Sequence, residues 1–392
     1  MKKYIRIWGF LFFLPISLMA QQSVENVLTQ IEKNNTTLAA LRKNADAEKI
    51  GNKTGMYLQN PEMEFNYLWG NPSVIGNRTD LNITQTFDFP TAYSYKNQIS
   101  KLKNDQVELE FQKQKRDLTL QAQNLCAELI YTHALKSETL KRKEQARWMA
   151  DAYKKRLEMG DATQMEYNTA QRNLLNSSKE LEGLEIEYMA LQSELTRLNG
   201  GVYISFPDSI FPILDVPSDF EQWYALAEQN NPMLTWIKQE LAISQKQEKL
   251  NRAMSLPKVQ TGYMSEKVVG QNFQGITVGL SLPLWENKNQ VKFAKAKTLA
   301  LESIASDNKL QFYTQLKALH GKVVSLQKNV NEYRSNLAPF DNSGLVKKAW
   351  DKGEISLTDY LLELSLAYES TLKLLEMERN LFKAQAELIN YR

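Results

Sequence analysis

Lys154-Lys155-Arg156-Leu157-Glu158-Met159-Gly160-Asp161-Ala162-Thr163-Gln164-Met165-Glu166-Tyr167 and Lys347-Lys348-Ala349-Trp350-Asp351-Lys352-Gly353-Glu354-Ile355-Ser356-Leu357-Thr358-Asp359-Tyr360 are one passage written twice, 193 residues apart. Each holds a Lys-Lys pair, a Gly followed by an acid, a hydroxyl, and a second acid followed by Tyr. The Gly suits the left-handed residue that closes a helix. Thr163…Glu166 and Ser356…Asp359 have the spacing of a capping box that opens the next helix. Each passage is therefore the tip of a helical hairpin, and the chain is built twice on one plan.

Outward from the tips the repeat continues. Asn34-Asn35-Thr36-Thr37-Leu38 matches Asn230-Asn231-Pro232-Met233-Leu234, and Lys96-Asn97-Gln98-Ile99 matches Lys288-Asn289-Gln290-Val291. The offset drifts only from 196 to 192, so element order is kept with small insertions or deletions. A period this long marks tandem domain-sized units rather than a short-repeat solenoid. Between Ala92 and Glu158 there is neither Pro nor Gly, which predicts one helix of about 65 residues and roughly 100 Å. Its return partner, Thr163 to Leu198, carries a heptad seam: Tyr167, Leu174, Leu181, Tyr188 and Leu195, with Ala170, Ser177, Leu184, Leu191 and Leu198 between. Tyr360, Ala367, Leu374, Leu381 and Leu388 repeat it, so coiled-coil packing is expected in both halves. Pro339 predicts a kink or break near that residue in the outgoing helix of the second half alone. Shorter helices are expected near Ser23 and near Ser218, where Ser218…Glu221 has capping-box spacing.

Four short segments alternate with period two. Met63, Phe65, Tyr67 and Trp69 oppose Glu62, Glu64 and Asn66; Leu81, Ile83, Phe87 and Phe89 oppose Asn82, Thr84, Thr86 and Asp88. Val259, Thr261 and Tyr263, then Ile276, Val278, Leu280, Leu282 and Leu284, supply the second pair. Each segment has the length of a tilted membrane-spanning strand. Gly70–Thr79 and Lys267–Gln274 are the expected hairpin loops. Two soluble hairpins, each with one face on a small core, are the alternative. Long polar neighbouring helices offer little to cover four apolar strand faces, which favours lipid. The expected lipid-facing residues are Phe65, Tyr67, Trp69, Ile83, Phe87, Phe89, Val278, Leu280 and Leu282. Four strands cannot close a barrel, so several copies must pool theirs; three copies giving twelve strands is the simplest closure.

The N-terminus reads as an export signal. Lys2, Lys3 and Arg6 precede an apolar run from Ile7 to Met19, with Ala20 the expected last residue before cleavage. Without residues 1–20 the chain carries 45 basic and 45 acidic side chains, a balance that argues against nucleic acid as a partner. Cys126 is the single cysteine, so no internal disulfide forms. The expected plan is a signal over 1–20, a first repeat over 21–201, a connector over 202–219 and a second repeat over 220–392. Strands fall at about 61–69, 80–89, 257–265 and 276–284, and helical hairpins at about 92–198 and 289–391.

With this plan and its G-[DE]-x-[ST]-x-x-[DE]-Y tips, the chain resembles the TolC outer-membrane efflux family. Gln85-Thr86-Phe87-Asp88-Phe89-Pro90, Ser281-Leu282-Pro283-Leu284 and the two tips carry the likeness. The resemblance implies a mainly α chain with a membrane β-barrel: a homotrimer whose twelve strands form the barrel in outer-membrane lipid and whose helices form a periplasmic tunnel. It implies two partners, a periplasmic adaptor and an inner-membrane pump of RND or other type. It places Glu166 and Asp359 near the periplasmic constriction, with Leu362 where the family can have a further aspartate. It places Gly160, Asp161, Gly353 and Glu354 at the tips that meet the adaptor, with Ile355 in place of a basic contact. Ending directly after the last helix resembles the CzcC-like heavy-metal-efflux branch.

The function expected is a passive export duct. A secreted coiled-coil or adaptor protein without a pore is the alternative. An enzyme is not expected: there is no phosphate loop, no nucleophile elbow and no Cys/His cluster. His133 and His320, the two histidines, read as surface helix residues. No catalytic residue, cofactor or metal ligand set is assigned.

Overall fold

The structure, a computed structural model, describes residues 14–391 apart from Ile213, Ser218 and Asp341. Residues 1–13 of the expected signal, and Ser218 of the expected cap, lie outside them. The described residues run α1 (Leu14–Asn34), α2 (Thr36–Gly51), β1 (Glu62–Leu68), β2 (Arg78–Phe87), α3 (Pro90–Glu158) and α4 (Gln164–Leu198). The second half follows as α5 (Phe220–Asn230), α6 (Pro232–Met254), β3 (Lys258–Val268), β4 (Gln271–Ser281), α7 (Gln290–Leu337), α8 (Ser343–Asp351) and α9 (Leu357–Ile389). One order is used twice: two helices, two strands, an outgoing helix and a return helix.

Matching residues do matching work in the two halves. Leu38 N–H donates to Asn35 Oδ1 at 2.8 Å, and Leu234 N–H donates to Asn231 Oδ1 at 3.0 Å. The duplicated Asn-Asn pairs thus cap α2 and α6, satisfying donors that a helix start leaves unpaired. α3 begins at Pro90, whose missing N–H costs nothing in the first turn. In the second half α7 stops at Leu337, a 3-10 turn spans Ala338–Phe340, and α8 takes over. Pro339 lacks the amide that an α-helix needs there and clashes with the preceding turn. α3 has no such residue and runs unbroken for 69 residues.

The chain divides into two compact units. The first comprises residues 1–39, 114–228 and 313–392. Its main core joins Val24, Val27 and Ile31 of α1, Leu125, Cys126, Leu129 and Ile130 of α3, and Leu195 and Leu198 of α4. Ile204 and Phe206 of the connector complete it. The described residues of the connector have no regular structure, yet Ile204 and Phe206 are built into this core rather than running over the surface. Gln192 donates to Ile204 O at 2.5 Å, and a His133 ring nitrogen lies 3.3 Å from Asp208 O. His320 lies 2.8 Å from Pro217 O and is buried, which corrects its reading as a surface residue. Asp219 Oδ1 accepts from the amides of Glu221 and Gln222 at the start of α5.

The second unit comprises residues 40–113 and 229–312. It contains one antiparallel sheet of order β1-β2-β3-β4, so the strand pairs of the two halves join through β2 and β3. β3 and β4 close in a two-residue turn, Val269-Gly270, with Gly270 at φ 75°. The wide loop expected over Lys267–Gln274 is therefore mostly strand: one Gly suffices for the turn, and backbone pairing continues through polar residues. β4 correspondingly spans Gln271–Ser281 rather than 276–284, ending before Pro283, which has no N–H to give. α1 begins before Ser23, since neither Pro nor Gly interrupts Ser17–Asn34.

Phe206 is 1% exposed and reaches its core from a segment with no helix or ladder of its own. Phe206→Ala is expected to cost about 3–5 kcal/mol through the cavity it leaves, read as a lowered chemical-denaturation midpoint.

Candidate functional site

The sheet separates its side chains by chemistry. In an antiparallel ladder, residues directly opposite share a face. Phe65 pairs Leu81, Met63 pairs Ile83, Ile83 pairs Tyr263, and Tyr263 pairs Ile276. Phe87 pairs Val259, which pairs Leu280. One face thus collects Met63, Phe65, Tyr67, Ile83, Phe87, Val259, Tyr263, Ile276, Val278 and Leu280. The other collects Glu62, Glu64, Asn66, Asp80, Asn82, Thr86, Gln260 and Glu266, with Arg78 Nε 2.8 Å from Asp80 Oδ1 and 3.2 Å from Glu266 Oε1.

The apolar face is not covered by the protein's own helices. Phe65 is 64% exposed and Leu280 69%; Tyr67 and Val278 are exposed too, while Ile83 and Phe87 on central β2 are half-buried. Trp69, Phe89 and Leu282 lie just beyond strand ends and are exposed. Full burial of one such side chain is worth about 1.5–3 kcal/mol. Six or more together therefore forgo a free energy comparable to the whole stability of a domain. β1 and β4 are also sheet edges, each presenting unpaired backbone groups.

The hairpin tips belong to the first unit, and their polar residues are local fasteners. Gly160, at φ 80°, donates its N–H to Leu157 O, and Asp161 N–H reaches back to Arg156 O at 2.8 Å. Gly353, at φ 73°, and Glu354 repeat this with Trp350 O and Ala349 O. Both ends are Schellman closures, satisfying carbonyls left free by α3 and α8. Thr163 Oγ1 accepts from Glu166 N–H at 3.2 Å while Glu166 Oε2 accepts from Thr163 N–H at 2.8 Å. Ser356 and Asp359 form the same box at the start of α9. These bonds hold the Glu166 carboxyl below its usual range, the Thr163 backbone amide contributing most. Gly160, Asp161, Gly353, Glu354, Asp359 and Leu362 are all exposed, and Glu166 is half-buried.

The two tips of one chain meet. Met149, Ala150, Tyr153, Ala170, Leu357 and Tyr360 form a buried cluster with Trp350 and Ile355 against it. The Trp350 ring lies 5.7 Å from Tyr153 and 5.2 Å from Tyr360. Farther along, a polar cross-tie links α3, α4 and α9. Tyr368 OH donates to Glu180 Oε1 at 2.6 Å and lies 2.9 Å from Thr139 Oγ1. Arg142 stacks 4.4 Å over the Tyr368 ring and reaches Glu180 Oε2 at 3.2 Å. Burial first, then the bond to Glu180, pushes the Tyr368 hydroxyl up to about 12. Beside the tie, a cavity of about 790 Å³ is bordered by Leu337, Phe340 and Ala367. The expected second seam is open here: Ala367 is exposed because α7 ends at the Pro339 break. Nothing in the sequence pointed to the tie, since its partners lie in different repeats and at no shared spacing.

No helix among the described residues is long and apolar enough to cross a membrane. No group of three or more His, Cys, Asp or Glu among them is placed to hold a metal.

No protein-family model and no curated protein matches the sequence. Solved structures do. The chain is similar to the Campylobacter jejuni CmeC outer membrane channel at 13% identity and TM-score 0.74, over 94% of this chain and 85% of that one. It is similar to CusC, a protein of transmembrane channel formation, at 12% identity and TM-score 0.77, over 99% and 94%. It is similar to the open state of the Neisseria gonorrhoeae MtrE outer membrane channel at 13% and 0.61, over 94% and 88%. The chain therefore has the fold of these channels, the mainly helical architecture expected from its repeats. OprN, an outer-membrane channel, also scores 0.77, so these likenesses single out no CzcC-like branch.

Thr163→Ala and Ser356→Ala are each expected to cost about 1 kcal/mol at the helix starts, read as faster amide exchange in the first turns of α4 and α9. Because the Glu166 carboxyl is lowered in the folded chain, its stabilisation is complete above the ordinary glutamate range. It declines as pH falls below that range and is gone once pH has passed the depressed folded value. Exchange at the start of α4 measured against pH checks this, with Glu166→Gln removing the dependence.

Proposed function

We propose that this chain is the outer-membrane duct of a tripartite export system, working as a homotrimer beside a periplasmic adaptor and an inner-membrane pump of RND or other type. The observation that carries this reading is the uncovered apolar face on a sheet with two unpaired edges. Water leaves that face unsatisfied, and a pore-less secreted coiled coil has no use for it. Lipid covers the face, but lipid tolerates no open edge, since each unsatisfied backbone group there costs several kcal/mol. Pairing β1 of one copy with β4 of the next removes every edge at once, and three copies make a closed barrel of twelve strands. The charged face, with Glu62, Glu64, Asp80 and Glu266, then lines water.

On this reading residues 1–20 direct export, 21–201 and 220–392 are the two repeats, and 202–219 joins them. Phe65, Tyr67, Trp69, Ile83, Phe87, Phe89, Val278, Leu280 and Leu282 contact lipid. Glu166, Asp359 and Leu362, near the tips, form the periplasmic constriction, and Gly160, Asp161, Gly353 and Glu354 meet the adaptor. Capping and constriction are compatible, because both capping carboxylates stand in the first turn of a return helix, at the tips. Transport is passive: a wide duct selects poorly, so the pump chooses and drives the cargo.

The decisive experiment is single-channel recording in planar bilayers with mature protein extracted in detergent. A trimer with discrete conductance steps is expected; a monomer soluble without detergent and silent in bilayers would sink the proposal. Leu280→Asp is expected to cost on the order of 2 kcal/mol in lipid and to reduce assembly, whereas Glu64→Gln is tolerated. Equal tolerance on both faces contradicts the barrel. The double variant Glu166→Ala, Asp359→Ala is expected to raise conductance; unchanged conductance with frayed helix starts leaves the tips a capping role alone.

A further inference from the structure

The two halves differ where strand passes into helix, and the difference creates a basic, apolar surface that the first half lacks. In the first half β2 runs through Asp88-Phe89 directly into α3 at Pro90. There Lys96 Nζ lies 2.9 Å from Asp88 Oδ2, a carboxylate whose side chain is 5% exposed, so the lysine is neutralised internally. Aligned on Phe89-Pro90 and Leu282-Pro283, the second half has Ser281 in place of Asp88. Aligned on Lys-Asn-Gln, Lys288 stands for Lys96 and Lys292 for buried Ser100. Lys288 has thus lost the acid its counterpart keeps, and a second lysine has been added.

The backbone differs as well. Between β4 and α7 lies the loop Leu282–Asn289, pinned to α6 by Asn287 Nδ2 donating to Met254 O at 2.7 Å and Asn251 Nδ2 donating to Gln290 O at 3.2 Å. Asn289 holds φ 66°, a left-handed conformation that a non-glycine residue rarely takes. The loop carries Leu284 and Trp285 outward, 68% and 79% exposed. Lys288, Lys292 and Lys295 follow at i, i+4 and i+7 spacing, all exposed. Neighbouring acids are already engaged: Glu286 lies 3.6 Å from Lys258, and Glu240 lies 3.7 Å from Lys297. Among the described residues the three lysines make no ion pair.

We propose that this junction is a binding surface for anionic glycerophospholipid headgroups. Leu284 and Trp285 enter the boundary between headgroup and acyl chain, continuing the apolar face of Val278, Leu280 and Leu282, and the three lysines meet the phosphates. Trp favours that depth because its ring is apolar and its N–H polar. Each lysine near an anionic surface adds attraction that salt screens. The proposal rests on the bilayer reading of the sheet.

The test uses full-length protein in vesicles of phosphatidylcholine containing either brominated phosphatidylglycerol or brominated phosphatidylcholine. The signal of Trp285 is the fluorescence quenching present in wild type and absent in Trp285→Phe. Roughly tenfold preference for phosphatidylglycerol is expected, falling towards one in Lys288→Gln, Lys292→Gln, Lys295→Gln, which still floats with vesicles as the same oligomer. Equal quenching by both lipids, or a preference that survives the triple variant, overturns the proposal. Flotation with no Trp285 quenching also overturns it. Failure of wild type to float removes the bilayer reading itself, and this surface with it.

Discussion

The rest of the structure follows from an unpaid requirement of the sheet: one face is too apolar to remain in water, and both edges are too polar to remain in lipid. Phe65, Val278 and Leu280 set the first condition; the outer backbone of β1 and of β4 sets the second. A single copy can meet neither, because its helices are not laid against that face. Closure with further copies inside a bilayer would meet both, since β1 of one copy could pair with β4 of the next and the charged face would turn inward. The internal duplication prepares this solution. β2 and β3 already join the halves antiparallel, as the closing pairs between copies would have to join.

Capping in the hairpins works to the same end, because a long helix must stop and reverse without leaving bare carbonyls or amides. The Schellman closures at Gly160 and Gly353, followed at once by boxes at Thr163 and Ser356, accomplish this in a few residues. Their brevity brings Tyr153, Trp350 and Tyr360 into one cluster, so both tips of a chain act as a unit. The tie of Tyr368, Glu180, Thr139 and Arg142 adds a directional link where apolar packing is interrupted by the cavity. Directional bonds of this kind specify one arrangement while adding little net stability.

Duplication also shows where the halves were free to diverge. Pro339 breaks one outgoing helix and not the other, opening the seam at Ala367. Ser281 replaces the acid that neutralises Lys96 in the first half, leaving Lys288 exposed beside Trp285. Positions that hold the shared plan, such as Asn35 and Asn231, keep both residue and bond.

Periodicity, caps and the repeat made the helices, the four alternating strands and the hairpin tips legible in the residues alone, because each depends on neighbours a few positions away. Strand ends were less so. β4 begins earlier than its apolar alternation suggests, since backbone pairing with β3 continues through Asn272 and Gln274 regardless of side chain. The connector's burial was hidden because Ile204 and Phe206 show no period; only helices distant in sequence make their pocket. Joining β2 to β3, the meeting of Trp350 with Tyr153, and the Tyr368 tie were decided by tertiary structure. Such contacts depend on which distant surfaces come together, and a local pattern carries no record of its partner.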